Sequence, residues 1–82
     1  LSSPSVFLLE QLHDKAGIKD GWSRRRVKGC AKFLNVTTEE LAARSCIPLW
    51  RLNGWLKKDT VPPYIALLFY LQEQAELEAR YD

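Results

Sequence analysis

Trp50, Arg51 and Asn53, followed by Lys57 and Lys58, are the residues of this chain best equipped to recognise a partner. Arginine can donate two hydrogen bonds to the edge of guanine, and asparagine can pair in the same way with adenine. Lysines at a helix end suit phosphate oxygens. A tryptophan beside them offers a large apolar plane, fit for thymine methyls and sugars or for anchoring a protein interface. At about 100° per residue, Trp50, Gly54 and Lys57 share one arc of a helix over residues 48–58. Arg51 and Lys58 flank that arc on one side and Asn53 on the other. Leu49, Leu52, Trp55 and Leu56 fall on the opposite arc and read as core. Trp50 therefore stands away from the core stripe, where a large apolar residue marks an interface. Alternatively, an amino-terminal helix covers it.

That helix must be held by its neighbours, and the spacing around it predicts how. Thr37 with Glu40 three residues on forms a capping box, starting a helix that reaches about Arg44. Residues 45–47 make a turn, and Pro48 fits the first position of the next helix. Pro62 and Pro63 open a last helix that ends near Arg80. Upstream, residues 22–34 form an amphipathic helix with Val27, Cys30, Ala31 and Leu34 as its apolar stripe. Arg24, Lys28 and Lys32 form a second, basic stripe, with Arg25 beside it. Gly29 weakens this helix slightly or lets another helix approach closely. Residues 5–16 form a further short helix, Gly17 stops it, and residues 18–21 connect, with Asp20 as an N-cap. No strand-like alternation occurs. The expected fold is all-α: a compact bundle of about five helices containing a helix-turn-helix. Residues 1–21 are an N-terminal helix and connector. Residues 22–80 are a helix-turn-helix domain with its C-terminal supporting helix.

The composition narrows the function. Eighty-two residues suit one small domain. The net charge is only +2, but it is unevenly placed. Residues 15–58 carry eleven basic side chains against three acids, and residues 59–82 carry five acids against Arg80. This favours a polyanionic partner at the middle segment; the common alternative is a solvated surface with an acidic last helix. No run is long enough to span a membrane, and no secretion signal is expected. Two cysteines are too few for a disulfide framework, so Cys30 and Cys46 are expected as free thiols in a reducing compartment. His13, the single histidine, makes no metal-ligand spacing with them. No phosphate loop or nucleophile elbow is present. No catalysis, metal or cofactor is expected.

Residues 22–71 resemble the lambda-repressor-like family of helix-turn-helix domains, of the kind found in phage Cro and repressor proteins. Leu41-Ala42, Ile47, Leu52, Trp55, Pro62 and the Ile65, Leu68, Leu71 stripe carry the resemblance. It covers a little over half the chain. It implies a helical bundle that binds operator DNA as a two-fold dimer. By position in the motif, the base-reading residues correspond to Pro48, Leu49, Trp50 and Arg51, with Asn53 and Gly54 a turn later. The phosphate-binding start of the first motif helix corresponds to Thr37 and Thr38. Two departures stand out. Cys46 occupies the turn position where the family usually has glycine, and Pro48, Leu49, Trp50 and Gly54 replace its usual polar readers.

The expected function is that of a sequence-specific DNA-binding transcriptional regulator of prokaryotic or phage type, a repressor acting as a homodimer on double-stranded DNA. Its location would be cytoplasmic, at the nucleoid. Trp50, Arg51 and Asn53 would contact bases. Arg24, Arg25, Lys28, Thr37, Thr38, Lys57 and Lys58 would contact phosphates. In the last helix, Tyr64, Ile65, Leu68, Leu71 and Ala75 read as the core stripe. Ala66, Phe69, Tyr70 and Leu77 are left for a dimer interface, unless the amino-terminal helix folds over them. The alternative function is a helix-turn-helix-shaped protein–protein interaction module, with Trp50 as anchor for a protein partner.

Overall fold

The computed structural model describes residues 18–81. The expected helix over residues 5–16 and its stop at Gly17 lie outside them. Four helices form the described fold: α1 (Arg24–Leu34), α2 (Thr38–Arg44), α3 (Leu49–Lys57) and α4 (Pro63–Tyr81). No strand occurs among the described residues; Trp22 and Val61 make one isolated antiparallel bridge.

Local chemistry sets the helix ends. Ser23, not Asp20, caps α1: its side chain accepts from the Arg26 N–H at 3.2 Å. The Asp59 carboxylate accepts from the Arg24 N–H at 2.8 Å, so a second early donor is satisfied from a distant loop. Asn35 ends the helix in a left-handed conformation, φ 59°, which asparagine tolerates better than most residues. Thr37 caps α2 as its spacing predicts, accepting from the Glu40 N–H at 3.1 Å. The turn that follows puts Cys46 at φ 58°, and the Ile47 N–H returns to the Ala42 carbonyl at 2.9 Å. Pro48, expected at the first helical position, is instead the N-cap of α3, which starts one residue later at Leu49, and it uses no side-chain hydrogen bond.

One apolar cluster joins the elements. Val27, Cys30, Ala31 and Leu34 enter it from α1, Leu41 and Ala42 from α2, and Leu52 and Leu56 from α3. Ile18 and Trp22, from the segment before α1, are buried there too. Trp55 is half-buried against the cluster. Leu49, expected in it, is exposed, because α3 presses only its Leu52–Leu56 edge inward.

The last helix faces the opposite way from expectation. Ala66, Leu67, Phe69 and Glu73 are its buried residues, whereas Tyr64 is 70% and Leu71 42% exposed. Three contacts with α1 and the segment before it fix this rotation. The Trp22 and Phe69 rings lie 6.2 Å apart. The Cys30 thiol lies 3.6 Å from the Phe69 carbonyl. Arg26 grips Glu73 through two hydrogen bonds of 2.8 and 2.5 Å, with its guanidinium 3.9 Å above the Trp22 ring. Ala66 and Phe69, expected at a dimer interface, are thus fully buried inside one chain. Tyr70 packs half-buried against the same core. Of that set only Leu77 remains exposed.

Candidate functional site

The outward face of α3 is open. Trp50 is 70% exposed, and Arg51 and Asn53 are exposed beside it. A Cβ placed on Gly54 would meet nothing within 4 Å, so the middle of this face is bare backbone with room in front of it. The Arg51 guanidinium lies 5.4 Å from the Trp50 ring centroid. An exposed cation–π contact of this kind is worth about 0.5–1 kcal/mol, little enough to yield to a better acceptor. The face therefore presents an indole plane, a guanidinium fork and a carboxamide within about one turn.

Its cations gather at one end. Lys57 and Lys58 are exposed where α3 stops. The hydrogen bond from Arg24 N–H to Asp59 brings the start of α1, with exposed Arg24 and Arg25, up to that same point. Lys28, also exposed, follows one turn along α1. Asp59 makes this meeting. Its backbone is left-handed at φ 58°, and its carboxylate is held by the α1 N-terminus. Sequence reading gave it no part, since an acid after a helix shows nothing of a donor thirty-five residues earlier.

Thr37 and Thr38 do not join this cluster. They stand beyond the far end of α1, about 16 Å along its axis from Arg24. The Thr37 hydroxyl is committed to its cap and to Glu40, and Glu39 and Glu40 already complement the positive end of α2. That turn is poorly suited to a phosphate. Arg26, inside the run Arg24-Arg25-Arg26, points inward to Glu73 and is not part of the basic face. Hydrogen bonding to Glu73 holds it above the ordinary guanidinium value, against the opposing effect of burial.

Neither cysteine is in a disulfide; Cys46 is exposed and Cys30 buried. Burial pushes the Cys30 thiol up to about 12, so it is not a nucleophile at neutral pH. Among the described residues no group of three His, Cys, Asp or Glu side chains could hold a metal ion, and no helix is long and apolar enough to cross a membrane. Comparison with protein families, curated proteins and solved structures finds no match to this chain.

Proposed function

We propose that the chain is a sequence-specific DNA-binding regulator of transcription of the lambda-repressor-like kind, a repressor of prokaryotic or phage type working at the nucleoid as a dimer. In this reading α2 and α3 are the helix-turn-helix, and α3 lies in the major groove. The observation that supports it most is the joining of two basic segments through Asp59. It sets Arg24, Arg25, Lys57 and Lys58 at the end of the helix that exposes Trp50, Arg51 and Asn53. Base-reading groups are useful only where phosphate contacts hold the helix in register, and this end of the molecule has both. Arg51 leaves Trp50 to pair with guanine, Asn53 pairs with adenine, and the indole meets thymine methyls or sugars. Cys46 in a left-handed turn fits the reading: the turn keeps the geometry that glycine usually supplies, at a cost of about 1 kcal/mol.

A second reading has its own support. An indole 70% exposed on an otherwise folded chain is the kind of anchor that protein interfaces use, and Arg51 stacked on it enlarges the same patch. Binding to random duplex DNA across a salt series separates the two. Four to five phosphate contacts per chain give a log–log salt slope of about −4. Arg51→Ala should narrow the gap between preferred and random duplexes by about 1–3 kcal/mol, and Lys28→Ala should weaken both equally. Absence of binding at low salt removes the DNA reading and leaves the protein partner.

A further inference from the structure

Trp50 and Arg51 are neighbours in sequence, and their side chains also meet on the outward face of α3. The Arg51 guanidinium lies 5.4 Å from the Trp50 ring centroid, and the indole is 70% exposed. Gly54, one turn on, has nothing within 4 Å of an added Cβ, so a groove can approach the pair closely. How each group meets DNA then ties them to one place. A guanidinium that pairs with both O6 and N7 of guanine must lie in the plane of that base. One of its flat faces then looks along the stack to the pair on the 5′ side, about 3.4 Å away. A pyrimidine there turns its C5 position to the major groove, bare in cytosine and a methyl in thymine. An indole held against the same guanidinium reaches that point from outside. It gains by covering a methyl and loses by drying the amino group beside a bare C5.

We infer that Trp50 and Arg51 together read a single step, a 5-methylpyrimidine followed by guanine, and that binding of the chain therefore responds to cytosine methylation. The inference rests on the DNA-binding reading of α3. Thymine and 5-methylcytosine carry the same methyl at the same position, so TpG and methylated CpG present one target to this pair. Unmethylated CpG keeps the guanine and lacks the methyl. Methylation of a CpG step strengthens binding without any change of base sequence. Arginine alone reads guanine whatever precedes it; the indole beside Arg51 makes the preceding base matter. Asn53 takes no part. It stands about 160° from Arg51 around the helix and meets a separate base pair.

Four pools of short duplexes test this with the full chain at low salt. Each pool has one central XpG step between flanks of randomly ordered A·T and T·A pairs, so adenine occurs in every register around a single step. X is cytosine, 5-methylcytosine (on both strands), thymine, or uracil, which is thymine without its methyl. Covering one methyl is worth about fourfold in affinity. The 5-methylcytosine pool should therefore bind about fourfold more tightly than the cytosine pool, and the thymine pool about fourfold more tightly than the uracil pool. Trp50→Ala should bring both ratios to one while keeping a preference for the cytosine pool over duplexes of A·T pairs alone. Trp50→Phe, which keeps an apolar ring, should restore most of each ratio. Arg51→Ala should lose the preference for guanine itself. Ratios of one for a wild-type chain that binds all four pools overturn this inference and leave the DNA reading standing. Ratios that survive Trp50→Ala overturn it too. Absence of binding to every pool removes the DNA reading and this inference with it.

Discussion

Cys30 and Cys46 carry the same group into opposite settings. Cys46 stands exposed in the turn between α2 and α3, and Cys30 has no exposed surface. The difference gives a pH dependence with a definite sign. The Cys30 thiol, with an ordinary value of 9.0, is pushed up to about 12 in the folded chain, chiefly by burial. Below pH 9 folded and unfolded chains both hold the proton, and the contribution of Cys30 to stability is complete. Between about pH 9 and 12 the unfolded chain binds fewer protons than the folded one. Stability therefore falls as pH rises, by on the order of 1 kcal/mol per pH unit. Denaturant melts at pH 8, 9 and 10 should show this decline, and Cys30→Ala should lack that part of it. Identical slopes for the two proteins would mean that Cys30 ionises as freely folded as unfolded.

Between elements, the tie from Arg26 to Glu73 decides how α4 sits on α1, and its two halves are unequal. The Glu73 side chain is 12% exposed and that of Arg26 41%. Arg26→Ala strands a buried carboxylate, whereas Glu73→Gln leaves a guanidinium that can turn to water. Arg26→Ala should therefore cost about 2–3 kcal/mol and Glu73→Gln about 1 kcal/mol by urea unfolding. Equal losses would show that the carboxylate already reaches solvent. The same pair explains what could be read from the sequence. The α1 stripe and the Thr37 cap were legible, because both are local: a period of 3.6 and a spacing of three. The facing of α4 was not. Residues 64–71 are apolar throughout, so periodicity favours no side, and the choice falls to contacts with Trp22, Arg26 and Cys30, forty or so residues away. Ile18 and Trp22 escaped for a related reason. They precede the helix, in irregular backbone, where burial leaves no periodic trace. On α3 the exposure of Trp50, Arg51 and Asn53 followed from the wheel, and the link through Asp59 did not.

At the scale of the whole molecule, the chain closes where the segment before α1 crosses the loop before α4. Trp22 and Val61 exchange backbone hydrogen bonds of 3.1 and 2.8 Å. Gly21, one residue earlier, has φ 82°, and a Cβ there would lie 2.2 Å from the Val61 carbonyl oxygen. No flexible side-chain tip can yield, since the obstacle is backbone. Gly29 and Gly54 stand in helices with nothing within 4 Å of an added Cβ; among the described residues no second helix uses the gap at Gly29. The three glycines therefore test the closure by sign. Gly21→Ala combines a strained conformation with a clash and should cost at least about 2 kcal/mol, lowering the melting temperature by about 10 °C in a domain of this size. Gly29→Ala and Gly54→Ala should each raise stability by about 0.5–1 kcal/mol, through the ordinary helical preference for alanine. Thermal melts followed by circular dichroism read all three. A tolerated Gly21→Ala would mean that Trp22 and Val61 do not meet, and the burial of Trp22 against Phe69 would lose its support with them. A destabilising Gly54→Ala would mean that something already lies against the outward face of α3, the face on which the proposed contact with DNA depends.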